Sequence, residues 1–272
     1  MPRPVIALLT DFGTTDHYVG AMKGVLLGIC PEAALVDITH EIAPHDVLGA
    51  SLELVAAYRV FPAGTVFLVV VDPGVGSARQ GLAAQSAGYT FVAPDNGILT
   101  AVLDESPPAR MVALAERRYM RPVVSPTFEG RDRFAPAAAW LAAGVDAEAL
   151  GPPVTDFVRL NVPVPAVGTG QVAGEVLRID RFGNLVTNID RRAWAEAAGP
   201  GMPEIVVGEC RVGPLVDTYA EIGGSGIGAL FGSTGHLEVA AREKSAAVLL
   251  GVWRGAAVVV RWVAKGPGDD GL

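Results

Sequence analysis

Cysteine is nearly absent from the 272 residues. Only Cys30 and Cys210 occur, which excludes a disulfide-stapled scaffold and fits a reducing compartment. Both read as packing residues. Basic runs are also missing. With a net charge of −8, a pI near 5.0 and no cluster of Lys or Arg, the chain repels a phosphate backbone, so no nucleic-acid partner is expected. No apolar run reaches the roughly 20 residues that span a bilayer. The N-terminal Met1-Pro2-Arg3-Pro4 leads straight into a short apolar stretch ending at Asp11, without the length of a signal peptide. No membrane partner and a cytoplasmic location are therefore expected. Charge is sparse, at 18% against 50% hydrophobic residues. That surplus exceeds the needs of an average soluble domain and can cover subunit interfaces. The length favours a large domain followed by a smaller one.

What is present reads as two fold classes in succession. Residues 5–10 are a continuous apolar run broken by Asp11-Phe12-Gly13, the pattern of a buried parallel strand that ends in a functional loop. A helix follows, with Asp16 as its cap and Val19, Met22, Val25, Leu26 and Ile29 on its apolar face; Pro31 stops it. Residues 34–39 give the next strand, a helix begins near Asp46, and residues 65–71 give a third strand. That strand breaks at Asp72-Pro73-Gly74-Val75-Gly76-Ser77-Ala78-Arg79. If the sheet is parallel, Asp11 and Asp72 lie at its carboxyl edge, where open α/β sheets bind ligands. Residues 90–94 read as a strand and 131–143 as a helix. Prolines at 152, 153, 163 and 165 mark a linker. Beyond it, strand-like runs at 172–179, 185–189, 204–212, 236–240, 246–250 and 256–263 alternate with glycine-rich turns. The expected fold is an α/β N-terminal domain with a mostly parallel sheet (1–155), a linker (156–170) and a smaller all-β, antiparallel barrel-like domain (171–265).

Four segments place polar residues at the ends of apolar runs. Asp11 and Asp16 flank a turn at the head of a helix, where carboxylates accept ribose hydroxyls or pair with an ammonium group; a turn residue and an N-cap explain them equally well. Asp72 and Arg79 stand seven apart across a glycine-rich loop that can fold the guanidinium onto the acid. This suits either the orientation of a nucleophilic water or a structural clamp. The loop has no Gly-Lys-Ser/Thr and no third glycine, which disfavours a phosphate site. Thr127-Phe128-Glu129-Gly130-Arg131-Asp132 precedes a helix. Asp180-Arg181-Phe182-Gly183-Asn184 offers an aromatic face and an amide for a purine, or merely a polar turn.

Taken together and in order, these segments make the chain resemble the S-adenosylmethionine hydroxide adenosyltransferases, relatives of the fluorinase and chlorinase enzymes. The resemblance runs from Thr10-Asp11-Phe12-Gly13 to Gly235-His236-Leu237-Glu238. It implies hydrolysis of S-adenosylmethionine to adenosine and methionine with no cofactor and no metal. It further implies a homotrimer with sites between one subunit's large domain and a neighbour's small one. By that resemblance Asp11 holds the ribose diol, Asp16 holds the methionine ammonium, and His45, Thr127 and Phe128 line the site. Asp180, Phe182, Asn184, Ser233 and Glu243 complete the methionine and adenine pockets. Asp72 and Arg79 match two members of the family's water-activating Asp-Arg-His group.

The third member differs. Where the family pattern reads Thr-Phe-His-Gly-Arg-Asp, this chain has Glu129. A glutamate can accept a proton, but it adds a negative charge beside Asp72 and leaves Arg79 to balance two acids. Three other readings follow. The halogenase pattern carries tyrosine at the position of Asp72, and a carboxylate repels a halide. A non-catalytic S-adenosylmethionine-binding protein is motivated by Glu129. A calcium-dependent nucleoside hydrolase is disfavoured because the acids do not cluster.

Overall fold

The structure, a computed structural model, describes residues 3–223 and 226–263 and divides into two compact units, Met1–Val162 and Pro163–Leu272. In the first unit the elements run β1 (Val5–Thr10), α1 (Tyr18–Ile29), β2 (Ala34–Thr39), α2 (Val47–Ala57), β3 (Val66–Val70), β4 (Gly81–Ser86), β5 (Tyr89–Pro94), α3 (Thr100–Glu105), β6 (Arg110–Ala113) and α4 (Ala135–Ala142). The sheet order is β2-β1-β3-β5-β4-β6; β2, β1, β3 and β5 are parallel, and β4 runs antiparallel to β5 and β6. Both faces of the sheet are covered, which is why its strands read as unbroken apolar runs rather than alternating ones. Ile6, Leu8 and Leu68 pack with Met22, Leu26 and Phe134 on one face. Ala7, Leu9 and Phe67 pack with Ala50, Leu54 and Val102 on the other.

The chain leaves β1 toward β2 on one side and returns to β3 on the other. The topological switch point therefore lies between β1 and β3, whose carboxyl ends carry Asp11 and Asp72. A crevice forms at such a reversal because the two loops diverge from each other.

The second unit comprises β7 (Ala166–Gly168), β8 (Gln171–Ile179), β9 (Leu185–Asp190), α5 (Arg191–Ala197), β10 (Met202–Val207), β11 (Cys210–Val212), β12 (Ile227–Phe231), β13 (His236–Ala241), α6 (Ala246–Leu250) and β14 (Ala257–Val263). All of its strand pairs are antiparallel, in the order β11-β10-β14-β8-β9-β13-β12 with β7 on β8. Bonds from Gly213 N to Ile227 O, Ala229 N to Pro214 O and Val216 N to Ala229 O tie the chain after β11 to β12 and nearly close a barrel. The expected fold classes are both present.

Several local expectations need correction. Residues 246–250 form α6 and not a strand: Ser245 accepts the Val248 N–H as an N-cap, and Gly251 ends the turn at φ 64°. Those two signals outweigh the apolar run. The stretch 204–212 is a hairpin folded at Gly208-Glu209, with Gly208 at φ 59°. Asp16 does not cap α1, which begins after His17 with no side-chain cap bond. Gly130–Phe134 makes a π-helical turn before α4 begins.

Candidate active site

The loop after β1 is fixed from beneath. The buried Thr10 hydroxyl lies 2.8 Å from His40 Nδ1 and accepts the Phe12 N–H, while the His40 carbonyl accepts the Gly13 N–H at 2.7 Å. Asp37 Oδ1 lies 3.0 Å from His40 Nε2, and Lys23 pairs with the same carboxylate. Asp11 then accepts the His45 N–H on Oδ2 at 2.9 Å, which leaves Oδ1 without a partner among the described residues. His45 adopts φ 68°, an uncommon backbone for a non-glycine residue and a place where strain concentrates at functional sites.

The loop after β3 carries the charged group. Arg79 grips Asp72 with a fork, Nε to Oδ1 at 2.9 Å and Nη2 to Oδ2, and the same Nη2 also donates to Glu129 Oε2. All three side chains are at most 9% exposed. Phe134 lies under the guanidinium, 5.0 Å from its carbon to the ring centroid. Burial works against the charged form of Arg79. The bond and charge of Asp72, with those of Glu129, outweigh it and raise the pKa. Arg79 does not balance the two acids alone, contrary to the sequence expectation. Arg133, one turn along the π-helical segment, places Nη1 3.6 Å from Glu129 Oε2. Two acids therefore face two guanidinium groups, with no net formal charge.

A cavity of about 300 Å³ opens onto both loops. Asp11, His45, Asp72, Thr127, Phe128 and Glu129 line it, with Phe12, Tyr18, Pro44, Val70, Val75 and Gly130. Phe12, Tyr18 and Phe128 form an aromatic cluster with centroids 5.1–6.0 Å apart, Phe128 meeting the other two rings edge-to-face. Such a wall suits an apolar or π-bearing ligand. Asp16 is exposed and does not line this cavity. The sequence reading missed Phe12, Tyr18 and Arg133. An i, i+4 pairing of Glu129 with Arg133 was the available signal for the last.

The second unit has its own cavity of about 690 Å³, lined by Asp180, Phe182, Asn184, Glu243, Tyr219, Ala241, Lys244 and Ser245. Asp180 is largely occupied locally: Oδ1 accepts the Phe182 and Asn184 N–H groups and Oδ2 accepts the Asn184 amide, all at 2.9 Å. That clamp projects Phe182, which is 78% exposed. Tyr219 donates to Glu238 at 2.7 Å, and burial together with that bond pushes its hydroxyl pKa up to about 12. Ser233 sits exposed on the turn between β12 and β13 and does not line this cavity.

Gly76 shows how tightly the β3 loop is seated. It holds φ 77°, and a Cβ there would approach Pro126 O to 2.5 Å. Gly76→Ala is expected to cost about 1–3 kcal/mol of stability and to lower turnover by shifting Asp72 and Arg79 away from Glu129; thermal melting with steady-state kinetics checks both.

A family model described as the SAM hydroxide adenosyltransferase N-terminal domain matches residues 6–151, and its C-terminal counterpart matches residues 174–259. The chain belongs to the SAM hydroxide adenosyltransferase family. It is 41% identical to the (R)-S-adenosyl-L-methionine hydrolase of Thermus thermophilus, covering 93% of this chain and 97% of that protein. It is 33% identical to a fluorinase of an Actinoplanes species, covering 88% and 91%. A crystal structure of an uncharacterized conserved protein from Thermotoga maritima superposes with a TM-score of 0.89 at 35% identity, covering 94% of this chain and 99% of that one. In this member of the SAM hydroxide adenosyltransferase family the Asp72-Arg79-Glu129 group sits beside the cavity at the switch point.

Proposed function

We propose that the protein hydrolyses S-adenosyl-L-methionine to adenosine and L-methionine by attack of water at the ribose C5′. The observation that carries this reading is the buried Asp72-Arg79 fork, joined by Glu129 at the wall of the 300 Å³ cavity. Methionine departs as a neutral thioether, so no general acid is needed, and the reaction as written draws on no cofactor or metal. Alignment of water, C5′ and sulfur is the main task, and such positioning can supply roughly 7–11 kcal/mol. Asp11 Oδ1 faces the ribose diol in this reading. The aromatic wall and Thr127 flank the reacting groups, and His45 holds Asp11 through its backbone.

Two carboxylates at the wall disfavour a halide as nucleophile, although fluorinases are among the relatives. Purified protein given S-adenosylmethionine in oxygen-18 water should release adenosine carrying the label at O5′ and should form no 5′-halo-adenosine in chloride or fluoride. Unlabelled or halogenated product, or no product, counts against hydrolysis.

The adenine and methionine pockets are proposed to draw on Asp180, Phe182, Asn184, Ser233 and Glu243, with Asp16 taking the ammonium group. The four of these that share the second cavity support that assignment. We further propose a homotrimer, a reading supported by exposed Phe182, Val248 and Trp253 on the second unit. A cytoplasmic location is proposed from the two free cysteines and from the finding that no described helix is long and apolar enough to cross a membrane. The charge of −8 supports a chain without nucleic-acid partners.

A further inference from the structure

The two acids of the charged group are not equivalent, and their difference assigns the proton transfer. Asp72 gives both of its oxygens to the Arg79 fork. Glu129 gives only Oε2, which is shared between Arg79 Nη2 and, at 3.6 Å, Arg133 Nη1. No described residue hydrogen-bonds Glu129 Oε1. Nor is that atom sealed away: it is not among the fully buried side-chain atoms that lack a hydrogen-bond partner among the described residues. Oε1 thus retains contact with solvent space, and the space that Glu129 lines is the cavity also lined by Asp11 and Asp72.

We infer that Glu129, through Oε1, is the proton acceptor for the attacking water, while Asp72 and Arg79 fix the place of that water and of Glu129 itself. The inference rests on the hydrolase reading above and deepens it. In the step, an oxygen lone pair of water forms the O–C5′ bond as the C5′–S bond breaks, and its electron pair passes to sulfur, neutralising the sulfonium. The proton of the attacking water passes to Glu129 Oε1 and from there to bulk solvent. One water is consumed and one proton released, so atoms and charge balance. Anchoring Oε2 at two guanidinium groups holds the carboxylate plane, so that Oε1 is presented in one direction rather than sampled among rotamers. General bases in this position contribute through alignment as much as through basicity.

The test compares Glu129→Gln, Glu129→His and Glu129→Ala in the full-length protein, with oxygen-18 incorporation by the unmodified protein as the control. Glutamine keeps an amide oxygen for Arg79 and removes the acceptor. Its kcat should fall about 10²–10⁴-fold while KM stays within about threefold, since a group that acts only in the transition state leaves substrate binding alone. Glu129→Ala should regain turnover with added formate, which supplies a carboxylate in the vacated space, and Glu129→His should keep more activity than the glutamine variant because imidazole accepts a proton. A Glu129→Gln protein with kcat near that of the unmodified one, or a Glu129→Ala protein that formate does not restore, would overturn the assignment and leave hydrolysis standing. Absence of labelled adenosine from the unmodified protein would overturn both.

Discussion

Asp72→Asn is expected to reduce adenosine release by about three orders of magnitude, within the range for disabling a general base, here Glu129 through its lost positioning, while S-adenosylmethionine still binds. The geometry gives two reasons. The fork from Arg79 donates to both oxygens of Asp72, and an asparagine turns an amide N–H₂ toward one of those donors. Arg79 then loses its principal partner and retains Glu129. The freed guanidinium can close on both oxygens of Glu129 and occupy Oε1, which no described residue hydrogen-bonds in the native site. A single substitution thereby removes the water's orienting acid and blocks the acceptor. Binding should survive because Asp11, held by His45 N, and the aromatic wall of Phe12, Tyr18 and Phe128 belong to other loops. Single-turnover measurement of adenosine formation beside calorimetric titration separates the two effects. Undiminished turnover, or equal loss of binding and turnover, would count against the role given to Asp72.

The parts of this site that were legible in the sequence are those where chemistry and chain punctuation coincide. β1 and β3 are unbroken apolar runs because both sheet faces are covered, and each ends on an acid at the switch point. The seven-residue spacing of Asp72 and Arg79 across glycines anticipated their ion pair. β4 was missed because Gly81-Leu-Ala-Ala-Gln-Ser has neither β-branched residues nor alternation. It is a strand only because β5 and β6 flank it, a tertiary effect invisible to local propensity. Ala246–Leu250 illustrates the converse, a short apolar run whose period cannot separate strand from helix and whose state is set by the Ser245 cap. The second counter-charge, Arg133, was hidden because the reading of Glu129 stopped at its neighbours in the motif. Asp180 shows a further limit: the same letters encode a ligand contact or a turn clamp, and the bonds to Phe182 and Asn184 engage both of its oxygens.

Asp132→Asn should be the most destabilising change near the site. The Asp132 side chain is fully buried and accepts Arg131 Nε at 2.7 Å on Oδ1, and Arg131 Nη2 at 2.8 Å and Ser125 N at 2.9 Å on Oδ2. Arg121 lies 3.6 Å away. These bonds close the loop that presents Thr127, Phe128 and Glu129, and Arg131 stacks 5.0 Å from the Phe128 ring centroid. Burial alone would raise the Asp132 pKa, but the Arg131 bond and then the Ser125 N–H reverse it, so the folded value lies below 3.8. The sign follows from linkage: a carboxyl with a depressed folded pKa adds stability that is fully present above the unfolded value and is lost as pH falls through the folded one. Removing the charge from a buried pair costs about 3–5 kcal/mol, and the partial exposure of Arg131 favours the lower end. For a domain of this size that is a melting shift of roughly 10 °C at neutral pH. Thermal unfolding of both proteins, followed from neutrality to below 3.8, should show the gap narrowing in acid as the native carboxyl takes up its proton. Adenosine release at neutral pH should fall in parallel, because the loop that carries Glu129 loses its anchor. Equal melting at neutrality, or a gap that widens in acid, would show that this loop is held by its apolar contacts and not by the buried acid.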